Sequence, residues 1–203
     1  NGANLHLSSP VLDVTKIDDH FIVKTDKMEL EAKYVINCAG CYSDKIYQMV
    51  LKDKNPGFKI TPVKGDYYLL DKSEGKLVNH VIFQTPNPNG KGVLVSKTVH
   101  GNLIVGPDAI DADSKEDYSV TSDSLAFVKA KSLNTTSKIN FRNNIRNFSG
   151  LRAKVVGFDD FIIGNSIVSG FINFAGIKSP GLSAAPAFGP CAKEILESLG
   201  FIF

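Results

Sequence analysis

One stretch constrains this chain more than any other: Phe171-Ile172-Asn173-Phe174-Ala175-Gly176-Ile177-Lys178-Ser179-Pro180-Gly181-Leu182-Ser183. An apolar run stops at Gly176, turns, and opens into a helical pattern. A strand, a glycine turn and a helix start leave free backbone N–H groups and the positive helix end facing whatever lies beyond the turn. Ser183 is the expected N-cap, which leaves Pro186 in the first turn, where its missing N–H costs little. Pro190 is expected to kink the helix about one turn in. Phe188, Cys191, Ala192, Ile195 and Leu199 then mark one apolar face, and Gly200 ends it. On spacing alone, an ordinary strand–turn–helix joint is favoured over an anion site.

The rest of the chain reads as short strands with few helices. Runs at 11–14, 21–25 and 34–36 are β-rich and separated by polar turns at Asp18-Asp19 and Asp26-Lys27. Val35-Ile36 should end a buried strand. A helix is expected from about 42 to 52, with Tyr42, Ile46, Met49 and Val50 on one face, and Asn55-Pro56-Gly57 breaks it. In the middle, runs at 67–70, 81–83, 93–95 and 103–105 are closely spaced. Hairpin signals stand at Asn89-Gly90 and His100-Gly101-Asn102, so the sheet should be antiparallel. A second helix is expected over 121–133, capped by Thr121 and apolar at Leu125, Phe127, Val128 and Leu133. Strands return at 151–156, 161–163, 167–168 and 171–174.

Composition excludes several classes. The 23 basic and 21 acidic residues give a net charge of +2 without a basic run, so no nucleic-acid partner is expected. No apolar stretch approaches the ~20 residues that span a bilayer. Three cysteines in 203 residues make no disulfide framework, which points to a reducing, cytoplasmic setting. The histidines (His6, His20, His80 and His100) lack metal-ligand spacing, and no metal site is expected.

Four segments, in order, resemble one family. Gly176-Ile177-Lys178-Ser179-Pro180-Gly181-Leu182-Ser183 is similar to the C-terminal flavin-contacting motif of FAD-dependent oxidoreductases of the D-amino-acid oxidase superfamily. The nearest branch holds FAD-linked glycerol-3-phosphate dehydrogenases and L-2-hydroxyglutarate oxidases. The stretch from Ala32 to Asp44, with Asn37-Cys38-Ala39-Gly40-Cys41, resembles the turn these enzymes pack near the FAD pyrophosphate. Pro62-Val63-Lys64-Gly65-Asp66-Tyr67-Tyr68 and Ser149-Gly150-Leu151-Arg152-Ala153-Lys154 fit the same branch. The Gly-x-Gly-x-x-Gly turn that opens such enzymes is not in the sequence. The chain is therefore expected to be part of a larger flavoenzyme, with FAD belonging to the full-length protein and not retained by this piece.

The resemblance implies an α+β fold in which an antiparallel-sheet substrate domain, 56–147, is inserted into an FAD-binding α/β domain, 1–55 and 148–203. It implies cofactor contacts at Ala39, Gly40, Gly176, Ile177, Lys178, Ser179, Gly181, Leu182 and Ser183. Arg152 is the expected substrate clamp, since a guanidinium grips phosphate or carboxylate with two parallel bonds. A strand arginine paired with Asp159 or Asp160 is the alternative. Tyr67 and Tyr68 point to opposite faces of one strand; Tyr68 is expected at the substrate, and Lys64 near the same anion. Gly106-Pro107-Asp108-Ala109 resembles a pocket-lining segment of hydroxy-acid oxidases, and a plain turn explains it too.

The expected reaction is hydride transfer from a CH–OH carbon to flavin on a small anionic substrate, with glycerol 3-phosphate first and L-2-hydroxyglutarate second. A peripheral membrane or electron-acceptor partner stays open. Two readings from other classes stand beside it: a thiol–disulfide protein using Cys38 and Cys41, and a binding domain without cofactor.

Overall fold

The computed structural model describes residues 2–85 and 92–202, so the hairpin signal at Asn89-Gly90 lies outside the described residues. The chain divides into two compact units, Asn1–Thr61 with Ala153–Phe203, and Pro62–Arg152.

The first unit opens with β1 (Val11–Ile17), β2 (His20–Thr25) and β3 (Glu29–Ala32), an antiparallel sheet in that order. β3 reads Glu-Leu-Glu-Ala and is largely exposed, so no apolar run announces it. β4 (Val35–Asn37) leads through a 3-10 turn (Gly40–Tyr42) into α1 (Ser43–Leu51). The buried end of β4 is Asn37; Ile36, expected inside, is 39% exposed. The buried face of α1 is centred on Ser43, Tyr47, Val50 and Leu51, with Ile46 and Met49 of the expected stripe part-buried against the same core and Tyr42 standing before the helix as its N-cap. Tyr47 sets that rotation, because its ring stacks on Phe58 at 5.7 Å and on Phe171 at 5.5 Å.

The second unit is built on β5 (Ile60–Leu70), β6 (Leu94–Lys97), β7 (Leu103–Gly106), β8 (Ile110–Asp111) and β9 (Asn144–Val155). Their sheet runs β6-β7-β5-β8, with β9 also paired to β5. The β6–β7, β7–β5 and β5–β8 pairs are antiparallel, as expected. Residues 81–83 contribute a single bridge, Ile82 to Val95, rather than a strand. Leu70, Val95, Leu103, Val105 and Val128 form the centre of the core. α2 (Ser122–Ser132) supplies Val128, and Thr121 caps it by accepting the Ser124 N–H. Phe127 and Leu133 stay exposed, so α2 rests on a narrow face.

The chain re-enters the first unit with β10 (Ile162–Asn165) and β11 (Phe171–Ala175), while 167–168 belongs to the turn joining them. The sheet order is β10-β11-β4, antiparallel then parallel. β11 is central and all five of its residues are buried. α3 (Gly181–Ser198) follows. Its N-cap is Pro180, so Ser183 is the third helical residue and not the cap. The earlier start depends on Gly181, where a Cβ would stand 2.4 Å from Ile177 Cγ2. α3 runs unbroken through Pro186 and Pro190. Each removes one backbone bond, and its exposed flank lets water serve the freed carbonyls.

Candidate functional site

β4 and β11 lie side by side in parallel, with Asn37 opposite Asn173. Each continues into a turn and then a helix: β4 through 38–42 into α1, and β11 through 176–180 into α3. Turns at the carboxyl ends of neighbouring parallel strands are where α/β sheets take ligands. Both expected cofactor segments are therefore turns of this kind, in one unit.

Their local chemistry is mostly main chain. Gly40 has φ +55, and no atom lies within 4 Å of where a Cβ would stand, so bare backbone borders open space. Ala39 precedes it at the start of the 3-10 turn, without a side-chain cap. Gly176 has φ +68, and a Cβ there would stand 2.5 Å from Val155 Cγ2. Ile177 is half-buried, whereas Ser179, Leu182 and Ser183 are exposed. Lys178 Nζ donates to Asp159 Oδ1, which holds the Asp159 carboxyl below its ordinary range. No side chain caps α3, and its first turn carries no acid. Bare glycine backbone and an uncapped helix start fit the close approach of a flat, electron-rich ring or a phosphate, the groups FAD presents.

Cys38 and Cys41 border this turn and are not joined in a disulfide. Desolvation pushes the Cys38 thiol up, which works against the thiolate a redox pair needs.

The second unit gathers side chains. Arg152 is half-buried on β9. Its Nη1 donates to the Asp108 carbonyl at 3.4 Å, and its Nη2 is 3.1 Å from the position a Cβ would take on Gly65. Within the second unit, no acidic side chain pairs with this guanidinium among the described residues. Tyr67 lies beside it. Burial pushes the Tyr67 phenol up, and the adjacent Arg152 charge partly offsets that. The Tyr67 ring stacks on Phe148 at 5.0 Å.

Two other expected residues go elsewhere. The Tyr68 hydroxyl donates to the Leu125 carbonyl at 3.1 Å, and its ring packs edge-on against Phe141 in the core. Strand alternation thus gives Tyr67, not Tyr68, to the arginine side. Lys64 is almost wholly buried, and its ammonium donates to Asp117 Oδ2 at 2.8 Å and Ser119 Oγ at 3.2 Å. That pairing uses the charge expected at the anion.

Sequence reasoning named the segments that hold Asp66 and Asp108 but gave neither buried carboxylate a role. Asp108 Oδ1 accepts the Asp66 N–H at 2.7 Å, and its Oδ2 accepts from Ser124 Oγ. Asp66 Oδ2 accepts the Thr121 N–H at 3.1 Å, while its Oδ1 has no partner among the described residues. Both acids sit at the start of α2, where the helix dipole favours negative charge. The available signal was Asp66 set directly before the run Tyr67-Tyr68-Leu69-Leu70 in one strand.

Comparisons with known proteins place the chain in a family. A family model described as FAD dependent oxidoreductase matches residues 1–195. A glycerol 3-phosphate dehydrogenase from Caloramator mitchellensis is 46% identical over 200 residues, covering 98% of this chain and 41% of its own. An L-2-hydroxyglutarate dehydrogenase from Indibacter alkaliphilus is 34% identical over 119 residues, covering 58% of this chain and 30% of its own. Dithionite-reduced L-alpha-glycerophosphate oxidase from Mycoplasma pneumoniae, solved with FAD bound, superposes with a TM-score of 0.83 at 29% identity. That match covers 96% of this chain and 50% of the oxidase, so the chain spans about half the length of the proteins it resembles.

Proposed function

The chain belongs to the FAD dependent oxidoreductase family, and on that premise we propose that it forms part of a flavoenzyme oxidising a small secondary alcohol that carries an anionic group, glycerol 3-phosphate first. The observation that carries this reading is Arg152, a half-buried guanidinium without an acidic partner among the described residues of its unit. Such a cation is costly to leave unpaired, and an anionic ligand would satisfy it.

Flavin, when bound, supplies the hydride acceptor for a CH–OH donor. In this proposal Arg152 grips the phosphate through parallel N–H···O bonds and fixes the alcohol relative to it. Tyr67 offers a neutral hydroxyl at the same point. Ala39, Gly40 and the turn from Gly176 to Ser183 hold the cofactor by main-chain contact. The uncapped N–H groups of α3 stabilise negative charge there by ~0.3–1 kcal/mol.

L-2-hydroxyglutarate is the second reading. It is favoured by Gly65-Asp66-Tyr67-Tyr68 and by the similarity to the Indibacter dehydrogenase. The test is turnover by the full-length protein with each substrate and an artificial electron acceptor. A higher kcat/KM for glycerol 3-phosphate supports the first reading, and the reverse order supports the second. A full-length protein that holds no flavin and turns over neither substrate overturns both, leaving the binding domain.

A further inference from the structure

β11 is buried throughout and apolar except for one amide, Asn173, and its parallel neighbour β4 ends on another, Asn37. Each is 3% exposed. The ladder sets them opposite each other, and their side chains meet. Asn37 Nδ2 donates to Asn173 Oδ1 at 2.9 Å and to the Ser43 carbonyl at 2.9 Å. Asn37 Oδ1 accepts the Ala39 N–H at 3.3 Å. Ser43, fully buried at the start of α1, closes the loop by donating from Oγ to the Gly40 carbonyl at 2.9 Å.

The sheet does not need this pair, because the main-chain ladder already joins the strands. An aliphatic pair would bury more favourably than two amides. What the amides hold is the turn: bonds from Asn37 reach its second residue and the residue that follows it. They also lie at the base of the second turn, which begins at Gly176, three residues beyond Asn173.

We propose that Asn173, acting through Asn37, is a positioning residue that sets the Ala39-Gly40 turn for the cofactor. The inference rests on the proposed role of that turn. Without Asn173, the Asn37 amide loses one of its two acceptors and is held only by its bonds to Ser43 and Ala39, so it fixes the turn less firmly. The turn then samples other conformations, and binding must restore the right one.

Two variants of the full-length protein separate positioning from folding. Asn173→Leu removes the acceptor and fills the space with an apolar side chain. Asn173→Asp keeps the acceptor and adds a buried charge. FAD affinity is read by quenching of flavin fluorescence on reconstitution of the apoprotein, and stability by the apoprotein Tm. Asn173→Leu should weaken FAD binding by about tenfold or more with little loss of Tm. Asn173→Asp should lower the Tm yet keep FAD affinity within about threefold of wild type. Should Asn173→Leu not fold, Asn173→Ala takes its place with the same expectation. If affinity follows Tm across the variants, or does not change, the pair is purely structural and the proposal falls. If the wild-type apoprotein takes up no FAD, the cofactor reading itself fails, and the positioning role fails with it.

Discussion

In the first unit, the groups proposed to meet the cofactor are main chain: the bare Gly40 turn, and the uncapped start of α3 with its exposed Ser179, Leu182 and Ser183. The second unit offers side chains set in an antiparallel sheet: Arg152 beside Tyr67 and the Asp108 carbonyl, with Lys64 and Asp66 turned to the other face of β5. The contrast follows from topology. Parallel strands end in turns that lead into helices, and the turns leave N–H groups unpaired. Antiparallel strands pair their main chain along their length, so only side chains remain to bind. Substitutions should therefore act differently. Shape changes at glycines should matter in the first unit, and charge changes should matter in the second.

The largest effect tests the second half of that contrast. Arg152→Met in the full-length protein should lose ~2–5 kcal/mol of transition-state binding, more than about tenfold in kcat/KM, with FAD retained. Arg152→Lys should recover only part, because a point charge cannot reproduce two parallel bonds. Lys64→Met should instead lower the Tm, because it strips Asp117 and Ser119 of their buried partner. If steady-state kinetics give Arg152→Met near-wild-type kcat/KM, the arginine belongs to the fold and not to the substrate.

Glycine substitutions test the first half. Gly176→Ala places a Cβ 2.5 Å from Val155 Cγ2 at φ +68, and should cost ~2–4 kcal/mol by thermal or urea unfolding. Gly40→Ala meets no neighbour and pays only the left-handed backbone, ~1–2 kcal/mol. Its loss of FAD affinity should exceed its loss of stability, since the new methyl enters the space left for the ligand. Equal losses at Gly40 would show that the open space is not a binding surface.

Much of this arrangement was legible in sequence, unevenly. The strand–turn–helix at 171–183 and the 38–42 turn carry their own glycine signals, and Thr121 announces α2 as a cap should. The glutamate-rich β3 left no hydrophobic pattern to read. The face of α1 depended on Tyr47, whose stacking partners lie 11 and 124 residues away in Phe58 and Phe171. Side-chain fate was hardest. Lys64 and Tyr68 look like binding residues until their partners, Asp117 and Leu125, are brought in from beyond the sheet's first turns. Asn37 and Asn173 were unreadable as a pair, because only the parallel register of β4 and β11 sets them opposite each other.

A smaller effect separates the two tyrosines. Tyr68→Phe removes the bond to the Leu125 carbonyl and should cost ~0.5–1.5 kcal/mol of stability with kcat/KM unchanged. Tyr67→Phe keeps the stack on Phe148 and should leave the Tm alone while raising KM for the anionic substrate. The opposite assignment would place Tyr68 at the site and reverse the face of β5 that serves it.

The smallest expected effect is an acid one, and it isolates the Lys64 pair. Asp117 is held down to about 2, first by its bond from Lys64 and then by those from Ser119. An unfolded aspartate titrates near ~3.9. The folded value is the lower of the two, so the ionised pair stabilises the fold fully above about pH 4 and loses that contribution as pH falls toward 2. Asp13 and Asp159 in the first unit are also held below their ordinary value and titrate in the same direction, so wild-type acid unfolding alone cannot isolate Asp117. The comparison with Asp117→Asn can, because those other groups are common to both proteins. The Tm gap between wild type and Asp117→Asn should be constant from about pH 5 to 7 and close between about pH 4 and 2. It should also narrow with added salt, since the Asp117 carboxylate reaches solvent while Lys64 does not. A gap that persists unchanged at about pH 2 would mean that Asp117 acts through its uncharged bonds to Ser119, and that the buried Lys64 charge is stabilised by something other than this carboxylate.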